Sequence, residues 1–257
     1  MSLRFWKLDG AGNDFVLLEK ASVKGAASRL AKTLCDRRHG IGADGLLVVD
    51  RKRKTLDYYN ADGSAAFCGN GSRCAAVWLY EQGEGDGREI GFRGSAGAIV
   101  ARILGPGRAA VRMPPARFIK ELELSTAARR WRASLWDTGV PHLVVEVASL
   151  RDAPVETEGR ALRYHKALGR AGANVDFIVP LRRRGIGIRT YERGVEAETA
   201  ACGTGAVAAA LAAERLGHST FPVSVLPRHG ERLGVFREGG DVWLQGPAKI
   251  VFKGELA

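Results

Sequence analysis

Two cysteines stand directly before glycine-rich turns that lead into apolar segments. Cys68 precedes Gly-Asn-Gly in "FCGNGSRCAAVWL", and Cys202 precedes Gly-Thr-Gly in "ACGTGAVAAALAA". Such a turn is typical of a helix start, where backbone amides carry partial positive charge and attract an anion. A thiol at this position is favoured as thiolate, so one cysteine could act as a base while the other, still protonated, acts as an acid. The pair indicates removal of a proton from one face of a carbon and return of a proton to the other face, which inverts a stereocentre.

The other cysteines and the overall composition point to no second chemistry. A single buried cysteine is more often a core residue than a catalyst, and we interpret Cys35 and Cys74 in that way. Four cysteines in 257 residues are too few for a disulfide scaffold, and their spacing predicts no metal site. We therefore expect reduced thiols and a cytoplasmic protein.

The two cysteine motifs belong to an internal repeat. "GNDFVLLE" from Gly12 aligns with "GVPHLVVE" from Gly139, and "GADGLLVV" from Gly42 aligns with "GANVDFIV" from Gly172. The offset rises from 127 to 130 and reaches 134 at the two cysteines, with the order preserved. The repeat predicts two copies of one fold. We place the first domain at 1–120, with one cysteine, and the second at 121–257, with the other.

Local patterns predict the elements within each copy. Short β-branched and apolar runs between Gly, Asp and Asn residues predict strands. The segment after each cysteine has almost no polar face, which predicts a helix buried on all sides and ended by Gly83 or Gly217. The expected fold is α/β, of the α+β type, with two pseudo-symmetric domains, each a curved sheet around a buried central helix. If the two halves fold against each other, the thiols would face each other across a cleft.

The net charge of +11 raises the question of a nucleic-acid partner. The densest basic runs, RKRK at 51–54 and RRR at 182–184, lie between strand-like stretches and are expected at hairpin tips. No aromatic residues interleave with them to form a stacking platform. We expect solvated tips and no nucleic acid, although a basic nucleic-acid-binding protein remains an alternative. No apolar run approaches the roughly 20 residues of a membrane span, so no membrane partner is expected.

Eight motifs along the whole chain resemble those of the diaminopimelate epimerases. In order they are "LDGAGNDFVLLE", "DRRHGIGADGLLVV", "NADGS", "CGNGSRCAA", "TGVPHLVV", "GANVDF", "YERGVEAETAACGTGAVAAA" and "GPAKIVFKGE". The resemblance implies interconversion of LL- and meso-diaminopimelate by a two-base mechanism, with no cofactor and no metal. It further implies a role in bacterial lysine and peptidoglycan precursor synthesis, a small-molecule substrate and a homodimer.

The resemblance also implies roles for individual residues. Cys68 and Cys202 would be the acid and the base, with Glu192 and His142 tuning them, although His142 could instead be a core histidine with satisfied hydrogen bonds. Arg193 would hold the distal carboxylate with its planar fork. Asp14, Asp44 and Asp62 are interpreted as turn and loop residues. The expected substrate-binding set is Asn13, Asn60, Gly69, Asn70, Asn174, Glu192, Arg193, Gly203 and Thr204.

The sequence departs from the common family pattern at the distal end of the expected substrate site. Gly45 and Val140 stand where many members have Gln and Asn. In addition, "NADGSAAFC" is one residue shorter and "ERGVEAETAAC" one residue longer than the usual forms. These departures keep open a related cofactor-independent racemase that acts on another amino acid, such as histidine.

Overall fold

The computed structural model describes residues 3–95, 97–228 and 231–256. Within these ranges the chain consists mainly of strands, with short single-turn helices in some loops. The α-helices are α1 (Ala27–Leu34), α2 (Gly69–Glu81), α3 (Arg160–Arg163) and α4 (Gly203–Arg215). The strands are β1 (Leu3–Asp9), β2 (Asp14–Glu19), β3 (Gly45–Asp50), β4 (Thr55–Asn60), β5 (Glu89–Gly94), β6 (Gly97–Gly105), β7 (Arg108–Arg112), β8 (Arg117–Ser125), β9 (Arg130–Asp137), β10 (Pro141–Glu146), β11 (Asn174–Leu181), β12 (Gly185–Glu192), β13 (Ala197–Thr199), β14 (Val223–Pro227), β15 (Leu233–Glu238), β16 (Asp241–Pro247) and β17 (Lys249–Leu256).

The chain folds into two compact units. The first contains the residues up to Arg112 together with those from Gln245 onward, and the second contains Met113–Leu244. This division differs from the expected 1–120 and 121–257 in two places. Strand β8, which spans the expected boundary, pairs with β9 in the second unit. Strand β17 pairs antiparallel with β1 and so belongs to the first unit.

The same strand order occurs in both units, as the internal repeat predicts. In the first unit β1–β2 is antiparallel, β2–β3 parallel, β3–β4 antiparallel, β4–β5 parallel and β5–β6 antiparallel. In the second unit the same alternation runs through β9–β10, β10–β11, β11–β12, β12–β14 and β14–β15. The α/β fold class is therefore confirmed, with one copy of the arrangement in each unit.

Each unit has a central helix that follows its cysteine. Helix α2 contacts strands β3 to β7 and β17, whereas α4 contacts β9 to β12, β14 and β15. All residues from Gly69 to Leu79 in α2, and from Gly203 to Ala213 in α4, are buried. Gly83 and Gly217 follow these helices with positive φ angles of 79° and 76°, the left-handed conformation that ends a helix.

The two basic runs lie at hairpin tips, as predicted. Residues 51–54 connect the antiparallel strands β3 and β4, and residues 182–184 connect β11 and β12. All seven except Arg51 are exposed. Among the described residues, no helix is both long and apolar enough to cross a membrane.

Candidate active site

The first half-site is centred on Cys68, the residue that precedes helix α2. Its backbone is extended, with φ −132° and ψ 112°, so it is the N-cap of the helix. The Cys68 Sγ accepts a hydrogen bond from the Gly71 amide at 3.3 Å, and the Ser72 hydroxyl donates to the Cys68 carbonyl at 2.8 Å. Amide donors at a helix start stabilise negative charge, so this geometry favours the thiolate form of Cys68.

Asn13 lies beside this thiol. The Cys68 thiol donates to the Asn13 Oδ1 at 3.8 Å, and the Asn70 amide donates to the same oxygen at 3.4 Å. The other end of the Asn13 amide donates to the Asp44 Oδ2 at 2.6 Å. Because the Asn13 nitrogen donates to Asp44, the Asn13 oxygen faces Cys68. Three residues of the expected site are thus close together in the first unit.

A cluster of charged side chains holds the Asn13 loop in place. Asp14 forms ion pairs with Lys7 at 2.6 Å and with Arg37 at 2.8 Å, and Arg37 also reaches Asp44 at 2.7 Å. Partial burial alone would raise the pKa of Asp14, but hydrogen bonds from Arg37 and Lys7 outweigh it and lower the pKa to about 2. Burial, together with the charge of Asp14, raises the pKa of Asp44. These contacts support the loop-holding interpretation of both aspartates.

Asn60 lies at the end of β4, in a separate set of contacts. Its Oδ1 accepts a hydrogen bond from the Tyr58 hydroxyl at 2.8 Å, and its Nδ2 donates to the Ser64 hydroxyl at 2.9 Å. The Tyr58 ring lies over Gly45. A Cβ atom at position 45 would be 2.4 Å from the Tyr58 ring and 2.7 Å from the Tyr59 carbonyl. The space into which a side chain at position 45 would extend is therefore filled by Tyr58.

Arg73 on helix α2 is the least expected residue of this half-site. Its side chain is 0% exposed, and none of its three guanidinium nitrogens has a hydrogen-bond partner among the described residues. Burial lowers the pKa of Arg73 to about 10, so the group remains cationic at neutral pH. Its charge interacts with the thiols of Cys74 and Cys68.

The second half-site is centred on Cys202, the residue that precedes helix α4. Its backbone is extended, with φ −113° and ψ 115°, and its Sγ lies 3.4 Å from the Thr204 hydroxyl. The protein packed around the sulfur, followed by the charges of Glu192 and Asp176, raises the pKa of Cys202 well above its ordinary value. A helix start alone predicts the opposite direction. These surroundings favour the protonated thiol of Cys202.

A buried chain of hydrogen bonds begins at Cys202 and ends in the sheet. The Thr204 hydroxyl lies 2.9 Å from the His142 Nε2, and the His142 Nδ1 lies 2.7 Å from the Asp176 Oδ2. The Thr190 hydroxyl donates to the other oxygen of Asp176 at 2.7 Å. His142 and Asp176 are both 0% exposed. The histidine is thus satisfied by hydrogen bonds and also lies one hydroxyl away from the thiol.

Asn174 ties this chain to the segment that carries the expected charged contacts. Its Nδ2 donates to the Pro141 carbonyl at 3.1 Å and lies 3.3 Å from the His142 Nε2, and its Oδ1 accepts from the Arg193 amide at 2.8 Å. Glu192, the preceding residue, accepts from the Thr199 hydroxyl at 2.8 Å. Five residues of the expected site are therefore connected in the second unit: Cys202, Thr204, His142, Asn174 and Arg193.

Sequence reasoning missed three residues that shape these half-sites, namely Tyr58, Arg73 and Asp176. Asp176 carried the clearest signal, because an acidic residue in the apolar run "NVDFIV" must find a partner when the strand is buried. The partners themselves depend on strand register. The parallel β10–β11 pair sets His142 opposite Asn174, and the antiparallel β11–β12 pair sets Asp176 opposite Thr190.

Comparisons with known proteins agree with the fold and the motifs. The family model described as diaminopimelate epimerase matches residues 5–119 and 134–251. A diaminopimelate epimerase of a Hydrogenobaculum species is 37% identical, covering 98% of this chain and 97% of the relative. That of Chlorobaculum tepidum is 38% identical, covering 97% of this chain and 99% of the relative.

Solved structures share the fold at much lower identity. A phenazine biosynthesis protein of the PhzF family from Enterococcus faecalis matches with a TM-score of 0.74 at 15% identity, covering 100% of both chains. A hydroxyproline epimerase from Agrobacterium vitis matches with a TM-score of 0.73 at 16% identity, covering 100% of this chain and 92% of the other. The full-length sequence match and the recurrence of a cysteine-capped central helix in both units lead to one assignment: the chain belongs to the diaminopimelate epimerase family.

Proposed function

We propose that this chain is an isomerase that interconverts LL- and meso-diaminopimelate without a cofactor, with Cys68 and Cys202 as the two proton-transferring groups. The observation that carries the proposal is that each unit places a thiol at the N-cap of a helix that is buried except for its last two residues. The family membership of the chain supports the choice of substrate.

The chemical difficulty is the weak acidity of the α-hydrogen of an amino acid. When a thiolate removes this proton, negative charge develops on the substrate carboxylate. First-turn amides of α2 and α4, among them those of Gly69, Asn70, Gly203 and Thr204, are suited to stabilise that charge because helix N-termini carry partial positive charge. The proposed remaining substrate contacts are Asn13, Asn60, Asn174, Glu192 and Arg193.

The two thiols differ in their resting state. The surroundings of Cys202 raise its pKa against the opposing effect of hydrogen bonds from Thr204 and the Gly205 amide, whereas at Cys68 the Gly71 amide donates to the sulfur. We infer that in the resting enzyme Cys68 is the base and Cys202 is the acid. One turnover exchanges these states, and a turnover in the reverse direction restores them.

Deuterium labelling tests the two-base mechanism. In deuterated water, the product isomer should carry deuterium at the inverted carbon from the first turnovers, while recovered substrate initially carries none. Cys68→Ala and Cys202→Ala should each lower kcat by at least about 100-fold, the contribution typical of acid–base catalysis. Cys74→Ala is the control for loss of a thiol. Equal early labelling of both isomers, or near-wild-type rates in either active-site variant, would refute the mechanism.

One observation keeps a second substrate in view. The Tyr58 ring fills the space above Gly45, which changes the end of the site where the common family glutamine is absent. A related racemase of another amino acid would keep both thiols and differ there. Incubation with LL-diaminopimelate, histidine and proline, followed by chiral analysis, separates the two candidates, and turnover of diaminopimelate alone is expected.

The biological setting is part of the same proposal. An enzyme with this activity would supply precursors for lysine and peptidoglycan in the cytoplasm, and it would work there as a homodimer with a small-molecule substrate. Sedimentation analysis checks the homodimer, and a salt-dependent gel shift with DNA or RNA checks the expectation of no nucleic-acid partner.

A further inference from the structure

The hydrogen bonds behind Cys202 have one consistent direction. Asp176 is an acceptor when ionised, so the His142 Nδ1, 2.7 Å away, carries the proton of the neutral ring. The His142 Nε2 is then an acceptor, and both groups that approach it, the Thr204 hydroxyl at 2.9 Å and the Asn174 Nδ2 at 3.3 Å, can donate to it. The Thr204 oxygen is left to accept from the Cys202 thiol at 3.4 Å.

This direction matters because a turnover that begins with Cys202 as the base requires its thiolate, whereas the resting thiol is protonated. Its surroundings oppose that loss, since burial and two nearby carboxylates raise its pKa. Release of the proton to solvent would leave a thiolate in a region that already holds the charges of Glu192 and Asp176. An acceptor inside the protein avoids this increase in negative charge.

We propose that Thr204, His142 and Asp176 form a proton relay for Cys202, with His142 as the acceptor of the Cys202 proton and Asp176 as the residue that positions and stabilises the histidine. This inference extends the proposed function by assigning a route for the proton of one catalytic thiol. Here Asp176 is a positioning residue, because it acts through His142.

The step is balanced within the four side chains. The S–H bond of Cys202 breaks as its proton moves to the Thr204 oxygen, and the original Thr204 proton moves to the His142 Nε2. The result is a thiolate and an imidazolium, with no change in net charge. The ionised Asp176 lies 2.7 Å from the imidazolium and stabilises it.

The two aligned positions in the other half-site carry no titratable side chain. The repeat alignment puts Phe15 at the position of His142 and Leu46 at the position of Asp176. Both side chains are apolar and 0% exposed. A proton relay of this kind therefore distinguishes the two thiols, although both precede equivalent helices.

Alkylation of the substrate-free protein tests the relay directly. Cys68 and Cys202 are partly exposed, whereas Cys35 and Cys74 are buried, so iodoacetamide labelling with peptide mapping gives separate rates for the two active-site thiols. Thr204→Val keeps the shape and the backbone amide but removes the hydroxyl. It should slow Cys202 alkylation at pH 7 by at least about tenfold and leave Cys68 unchanged.

Two further variants control for structural damage. Thr204→Ser keeps the hydroxyl and should restore most of the Cys202 rate. Thr138 is also fully buried, and its hydroxyl donates to the Thr204 carbonyl at 3.3 Å outside the relay. The alkylation rate of Cys202 in Thr138→Val should therefore stay within about twofold of the wild-type rate. Equal slowing in Thr138→Val and Thr204→Val would overturn the proposal.

Asp176→Asn separates a relay from a simple charge effect. If Asp176 acts only through its negative charge, removing it makes the Cys202 thiolate easier to form, and alkylation at pH 7 accelerates. If Asp176 supports the relay, the neutral amide no longer stabilises an imidazolium, and alkylation slows by about tenfold or more. Acceleration would refute the relay. Because no substrate is present, failure of the diaminopimelate assignment would not alter these rates.

Discussion

Arg73 shows how a single residue can conflict with its surroundings. Burying a cation without hydrogen bonds costs several kcal/mol in effective terms. The sequence does not predict this burial, because Arg73 follows the small and polar residues Asn70, Gly71 and Ser72 at the helix start. Its interaction with the Cys68 thiol suggests what the charge contributes, namely support for the thiolate on the same helix.

Replacing Arg73 by methionine should separate stability from reactivity. The free energy of unfolding should rise by about 1–3 kcal/mol, because an unpaired buried charge is replaced by an apolar group. Alkylation of Cys68 at pH 7 should slow by about tenfold, because the cation that favours its thiolate is gone. Urea unfolding and iodoacetamide labelling measure the two effects.

Arg130→Met controls for net charge, since Arg130 is exposed and lies in the second unit. This variant should have little effect on the alkylation rate of Cys68 or on the free energy of unfolding. A lower free energy of unfolding for Arg73→Met would show that other contacts stabilise the buried Arg73. An unchanged alkylation rate of Cys68 would show that Arg73 does not act on the thiol.

At the scale of elements, the junction of β1, β2 and the loop before β3 positions Asn13. The Lys7–Asp14–Arg37 contacts fasten this junction, and Asp44 orients the Asn13 amide. The elements that approach Cys68 are thus joined by side chains from three separate stretches of the chain. The strength of these side-chain contacts should depend on pH through the Asp14 carboxylate.

Asp14→Asn tests this dependence. The folded pKa of about 2 is lower than the ordinary value of 3.8, so the ionised Asp14 stabilises the fold above about pH 4 and loses this effect as the pH falls toward 2. The variant should be less stable by about 1–2 kcal/mol at pH 7, a range reduced for the exposure of Arg37. The raised pKa of Asp44 has the opposite effect on stability and partly offsets the contribution of Asp14.

Urea unfolding between pH 7 and pH 2.5 provides the measurement. The difference in the free energy of unfolding between wild type and Asp14→Asn should become smaller as the pH falls. Asp57→Asn is the control, since Asp57 forms an exposed ion pair with Lys20 at 3.7 Å, and exposed pairs contribute little to stability. A difference that stays constant down to pH 2.5 would mean that hydrogen bonding alone, and not charge, accounts for the effect.

At this scale, the features that could be predicted from sequence are those determined by local interactions. Cysteine-capped helices, glycine stops and basic hairpin tips depend on neighbours within a few residues, and these predictions are confirmed. The partners of His142 and the placement of Tyr58 over Gly45 depend on which strands pair and in what register. A single sequence does not encode these pairings in any local pattern, so they could be seen only in the structure.

At the scale of the whole molecule, the first unit is built from two distant parts of the chain. Strand β17 pairs with β1 from Leu3–Leu256 to Asp9–Lys249, with one irregularity after Lys7. The second unit is continuous in sequence. The sequence prediction assigned β17 to the second domain because the repeat has no signal for the exchange of a terminal strand.

Lys253→Pro should therefore destabilise the Cys68 half-site and not the Cys202 half-site. Proline removes a backbone donor from β17, where Lys253 pairs with Trp6. Hydrogen exchange should accelerate in β1 and β2 and stay slow in β9 to β12. Lys253→Ala keeps the amide and should have little effect. Faster exchange throughout both units would show that they unfold together.

The position of β17 also has a consequence for folding during synthesis. Strand β1 leaves the ribosome among the first segments, but its partner β17 follows after all of Met113–Leu244 has been made. At roughly 5–20 residues per second, this delay is on the order of 10 s or more. During that interval β1 has an open edge toward solvent, of the kind that invites pairing with other chains. The second unit ends at Leu244, before β17, so most of its strands can pair while the first unit still lacks its terminal strand, and the half-site with the proton relay should form before the half-site of Cys68.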